Sequence, residues 1–123
     1  VRNGVGTSHA PFTVPGCTIL VRLWWMHPSE TAVRKIDTSD ASLWDEGQLA
    51  LHTDPFERVR LIDVSGRAAF AADGGLELFV LDGAFDVGPA GTWVRRVREE
   101  LVLTGAGRVL VRQGHLRSPP ALP

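Results

Sequence analysis

Gly74-Gly75-Leu76-Glu77-Leu78-Phe79-Val80-Leu81-Asp82-Gly83 is the stretch on which the fold reading turns. Leu78-Phe79-Val80-Leu81 is continuously apolar and reads as a central strand. Asp73-Gly74-Gly75 before it and Asp82-Gly83 after it are turn signals, because glycine accepts the positive φ that tight turns require. Short apolar runs separated by glycines and prolines suit an antiparallel sandwich or barrel rather than βαβ units. The rest of the chain agrees: 13 glycines and 8 prolines punctuate short apolar runs. Strands are expected over residues 18–25, 57–64, 76–81, 92–97, 101–104 and 108–112. Glu57-Arg58-Val59-Arg60-Leu61-Ile62-Asp63-Val64 alternates well enough for a half-buried strand.

Composition narrows the function classes. The chain has 123 residues, 44% hydrophobic and 22% charged, which suits a globular domain and is too apolar for a disordered one. A net charge of −1 and a pI near 6.5 give no basic excess for nucleic acid or an anionic membrane surface. Cys17 is the single cysteine, so no internal disulfide can form and a reducing compartment is expected. The longest apolar run, residues 17–26, is interrupted by Arg22 and falls short of the ~20 residues a spanning helix needs. The N-terminus has no long apolar core of a signal peptide, and the expected location is cytoplasmic. Residues 28–54 are polar without a clean period. They read as a linker around the sheet, with a helical turn near residues 30–33 and with Trp44 and Leu51 pinning it down. The tail, residues 118–123, holds three prolines and is expected to be frayed or extended.

The chain also echoes itself. Val1-Arg2-Asn3, Ile19-Leu20-Val21-Arg22 and His27 recur in order as Val94-Arg95-Arg96, Val109-Leu110-Val111-Arg112 and His115, roughly ninety residues later. Two similar strand pairs suggest duplicated modules, the first of them cut short.

Particular motifs carry a family resemblance. Val1-Arg2-Asn3-Gly4-Val5-Gly6-Thr7-Ser8-His9-Ala10-Pro11-Phe12, followed by Gly16-Cys17-Thr18-Ile19-Leu20-Val21-Arg22, resembles the end of a ChrR-type cupin module. Residues 74–85 resemble that family's Gly-Gly-Glu-Glu strand pair, Gly91-Thr92-Trp93-Val94-Arg95 its Gly-Thr-Trp-Leu-Arg, and Gly114-His115-Leu116 its usual ending. Ile36-Asp37-Thr38 and Trp44 look like the connector of a tandem cupin. The resemblance covers nearly the whole chain. It implies an all-β, cupin (RmlC-like) jelly-roll barrel of antiparallel strands. Residues 1–27 would then be the last strands of a truncated first module, 28–54 a linker, 55–117 a second, degenerate module and 118–123 a tail.

The family's metal site joins His-x-His on one strand, a nearby Glu and a His on a later strand, a donor set suited to Zn, Fe or Mn. Alternate strand residues face the same way, so His-x-His puts both rings on the metal. Counting back from Gly74-Gly75, the resemblance puts Phe70 and Ala72 at the histidine positions and Leu76 at the carboxylate. The later histidine falls at Leu101 or Val102. No histidine stands between His52 and His115, so the second module lacks the triad in any register. The expectation is a filled or greasy cavity lined by these apolar residues, with no cofactor. His9 matches the later ligand of the first module, but its partners would precede residue 1, and a lone imidazole does not hold a structural metal.

Other residues have plain readings. Cys17 is expected to be a small buried hydrophobe, Glu77 a surface or cross-strand partner, and Arg95-Arg96-Arg98 beside Glu99-Glu100 a solvated strand end. His27, His52 and His115 have no spacing that demands convergence. Trp24 and Trp25 cannot both face inward from one strand, and strands cut from their neighbours invite pairing. The expected assembly is therefore a homodimer with residues 1–26 at the interface. The functional expectation is a binding or structural module without catalysis. The alternative is a remnant of a metal-dependent cupin dioxygenase, or of a zinc-dependent sensor or anti-sigma factor, whose metal site lies in a missing N-terminal half.

Overall fold

A computed structural model describes residues 35–72 and 74–114. Nearly all of them fall in one compact unit, Asp37–Leu116. Expectations for His9, Cys17, Trp24, Trp25, His27 and His115, for a strand over 18–25, for the turn at 30–33, for the tail and for the homodimer interface lie outside the described residues.

A 3-10 turn, Ala41–Leu43, precedes six strands: β1 Gln48–Thr53, β2 Glu57–Phe70, β3 Leu76–Phe85, β4 Gly88–Pro89, β5 Trp93–Arg96 and β6 Leu101–Gly114. They form one sheet in the order β1-β2-β6-β3-β4, with β5 also on β3, and every pairing is antiparallel. The all-β antiparallel expectation holds; the sheet is not closed on itself.

β2 and β6 pair without a break from Glu57↔Gly114 to Phe70↔Leu101. Straight, this ribbon would separate Leu101 from Gln113 by about 40 Å. Yet Phe70 lies beside Leu101 and Leu76 beside Gln113, and the chain from Phe70 to Leu76 spans at most about 20 Å. The ribbon must therefore curl back on itself. The side-chain amide of Gln113 donates to the Ala71 carbonyl at 2.9 Å, which ties the returning end to the far end of β6.

Glycines make the curl possible. Gly105 and Gly107 sit within β6 at φ 147 and 153. A Cβ on Gly105 would lie 2.3 Å from the Ala84 carbonyl oxygen, and one on Gly107 2.0 Å from that of Asp82. Two sequence expectations change here. The separate strands 101–104 and 108–112 are one strand of 14 residues, because these glycines bend it without ending it. Asp82-Gly83 is not a turn. β3 runs through it to Phe85, with a bulge between Val80 and Asp82 that switches which alternate residues face inward.

The concave face holds the core. Ile62, Val64, Phe70, Ala72, Leu76, Leu78, Val80, Phe85, Val94, Leu101, Leu103, Val109 and Val111 form one buried cluster. A third difference concerns β1, which arises within the span read as linker. Asp54-Pro55 is a turn signal, and the Asp54 carboxylate accepts from the amides of Phe56 at 2.7 Å and Glu57 at 2.9 Å. Buried Leu49 anchors β1, while Leu51 is half-buried beside a register shift.

Candidate functional site

Phe70 ends β2, Leu76 begins β3 and Leu101 begins β6; with Ala72 they come together because the ribbon curls. These four residues are 5%, 0%, 3% and 1% exposed in that order. They are the positions where the resemblance expects metal ligands. None offers a nitrogen, oxygen or sulfur atom in its side chain, so this part of the core has no side-chain donor for a cation. Val102 is different. Alternation turns it to the other face, where it is half-buried and outside the core cluster. Of the two alternatives for the later position, Leu101 is the one in the core.

The opposite face is organised in rows across the strands. One row is apolar: Leu49↔Leu61↔Leu110↔Phe79↔Trp93. Its last pair is an edge-to-face contact, ring centroids 5.7 Å apart. The next row carries Arg112, whose guanidinium meets Glu77 at 3.1 Å and Glu57 at 3.4 Å and donates to the Gly114 carbonyl at 3.2 Å. Arg112 is 3% and Glu57 4% exposed. Glu77 is thus a cross-strand partner, as expected. On the other side of the apolar row, Arg108 pairs with Asp63 at 2.7 Å and lies 4.5 Å over the Trp44 ring. The hydrogen bond that Arg108 donates to Asp63 raises the Arg108 pKa further, with smaller contributions from the Asp63 and Asp82 charges.

His52, Asp54 and Glu57 meet at the β1–β2 turn, with ligand-type atoms all within 4.8 Å of one another. Among the described residues this is the set with the donor chemistry to hold a metal ion. Its atoms already have work. Asp54 Oδ2 contacts His52 Nε2 at 2.7 Å, Asp54 Oδ1 takes two backbone amides, and Glu57 Oε2 faces Arg112. A cation would have to compete with the Arg112 guanidinium for Glu57.

The concave face ends in a different arrangement. Arg60 Nη1 donates to Gln48 Oε1 at 2.8 Å, and its Nη2 donates to Gln113 Oε1. Arg58 Nη2 reaches the same Gln113 oxygen at 3.4 Å. Burial and the nearby Arg58 charge hold the Arg60 pKa below its ordinary value.

The sequence reading missed both polar groups. The signal for the second was present, because Arg58-Val59-Arg60 on an alternating strand puts two guanidiniums on one face. That for the first was the Asp54-Pro55 turn, which returns Glu57 to His52. Among the described residues no helix is long and apolar enough to cross a membrane. Comparison with family models, with curated proteins and with solved structures finds no significant match.

Proposed function

We propose that the chain is a degenerate cupin-type module, of the jelly-roll lineage seen in ChrR-type anti-sigma factors, that binds or scaffolds without metal chemistry in its core. One observation carries this reading: Phe70, Ala72, Leu76 and Leu101, on three strands and a turn, share one buried apolar cluster. A metal site in a cupin needs imidazole and carboxylate donors that converge. Here the converging side chains are hydrocarbon, which favours packing over coordination. The single Cys17 favours a reducing, cytoplasmic setting. On sequence grounds the reading also carries a homodimer with residues 1–26 at its interface. Light scattering at micromolar concentration tests the dimer, and a monodisperse monomer would contradict it.

The test of the metal-free core is metal content. The protein is purified without a metal-affinity step from cells supplemented with zinc, iron and manganese, then measured by mass spectrometry. The expected result is well below one equivalent of any transition metal. One equivalent of metal that survives dialysis, and that persists when His52 is replaced by alanine to remove the β1–β2 turn set, would overturn the reading.

A further inference from the structure

Arg112 and Arg108, on the face opposite the core, have carboxylate partners: Arg112 has Glu57 and Glu77, and Arg108 has Asp63. Arg58 and Arg60, at the rim of the concave face, are held differently. Both reach a single uncharged acceptor, Gln113 Oε1, and Arg60 adds only a second amide, Gln48. The Nε of Arg60 is buried with no hydrogen-bond partner. No carboxylate among the described residues lies within ion-pairing distance of either guanidinium. Two like charges share one amide oxygen, one of them half-buried, and a partly desolvated charge without a counter-ion is costly.

We propose that Arg58 and Arg60, framed by Gln48 and Gln113, form a binding site for a small oxyanion, either a carboxylate or a phosphate. The guanidinium fork matches both chemistries and holds them through paired charge-assisted bonds. Arg58 is exposed, so the site is reachable from solvent. Gln113 is fixed by its bond to Ala71, which preorganises the frame. Gln113 also pairs in register with Leu76. An anion here therefore sits at the rim of the apolar cluster, next to a position where the resemblance expects a metal ligand. This inference rests on the metal-free binding reading and names the chemistry of what is bound.

The test titrates inorganic phosphate and, separately, succinate into the isotope-labelled full chain at constant ionic strength. Arginine Nε–Hε and glutamine side-chain amide resonances are followed by NMR. Saturable shifts at Arg58, Arg60, Gln48 and Gln113 are expected with at least one of the two anions, and which one saturates identifies the source. R58Q and R60Q are each expected to weaken binding about tenfold, the loss of one hydrogen bond to a charged group. R60K is expected to weaken it as well, because lysine keeps the charge and loses the fork. R67Q, at an exposed arginine elsewhere on β2, is expected to leave it unchanged. If R60Q does not fold, exposed Arg58 carries the test through R58Q. Shifts that stay linear with both anions, or that saturate equally in R58Q, would overturn the site. That outcome leaves the metal-free reading standing, because metal content judges it separately.

Discussion

Along β6, Leu103, Val109 and Val111 turn to the concave side and are 0% exposed, whereas Arg108, Leu110 and Arg112 turn to the opposite side. One strand thus serves two chemistries by period-two alternation. The concave face merges strand ends into a hydrocarbon core, including the positions where the sequence resemblance expects metal ligands. The convex face sets a paired buried arginine beside an apolar row. The contrast teaches that the buried charge of this fold, Arg112, is kept where the opposite charges of Glu57 and Glu77 complete it. The rim pair Arg58 and Arg60 departs from that pattern.

The comparison can be broken most forcefully on the convex face. Arg112→Ala takes a buried guanidinium out from between Glu57 and Glu77 and is expected to cost about 3–5 kcal/mol in denaturant unfolding. Replacing both, Arg112→Met with Glu57→Leu, is expected to recover most of that loss, since a buried pair can be exchanged for apolar packing. Failure of the double variant to recover would show that the charges specify the structure as well as filling it.

On the concave face the cost comes from lost packing alone. Leu76→Ala is expected to destabilise by about 2–5 kcal/mol, as a fully buried leucine leaves a cavity. A loss under about 1 kcal/mol would mean that the core there collapses easily or is loosely packed. Gly105→Ala probes the curl that joins the two halves of the core. With its positive φ and the Ala84 carbonyl 2.3 Å from the added Cβ, it is expected to cost about 1–2 kcal/mol or more. The smallest effect belongs to Asp63→Asn. Its partner Arg108 is 37% and Asp63 49% exposed in the side chain, so the expected loss is below about 1 kcal/mol and shrinks further with salt.

Much of the concave face was legible in the sequence. Leu78–Leu81 reads as a central strand because its run is continuously apolar, and residues 57–64 read as a strand from alternation. Phe70, Ala72, Leu76 and Leu101 were singled out through the resemblance. The curl was not legible. Gly105 and Gly107 look like the end of one strand and the start of another, because a glycine that bends a strand and one that terminates it leave the same local signature. Asp82-Gly83 misled for the same reason, since its glycine serves a close approach to β6 instead of a turn. β1 was missed because Gln48-Leu49-Ala50-Leu51-His52-Thr53 contains a register shift, which blurs its alternation. The charge groups were hidden for a different reason. Glu57, Glu77 and Arg112 are far apart in sequence, and only strand register makes them neighbours.

The claim that the converging positions are hydrocarbon and hold no metal is tested most directly by titrating cobalt(II) into the purified chain and recording its visible absorption. Cobalt reports coordination by imidazole, carboxylate or thiolate through its ligand-field bands, and it substitutes for zinc in such sites. The account predicts no saturable band beyond that of aqueous cobalt. An intense band that saturates at one equivalent, and persists when His52 is replaced by alanine to remove the β1–β2 turn set, would contradict it.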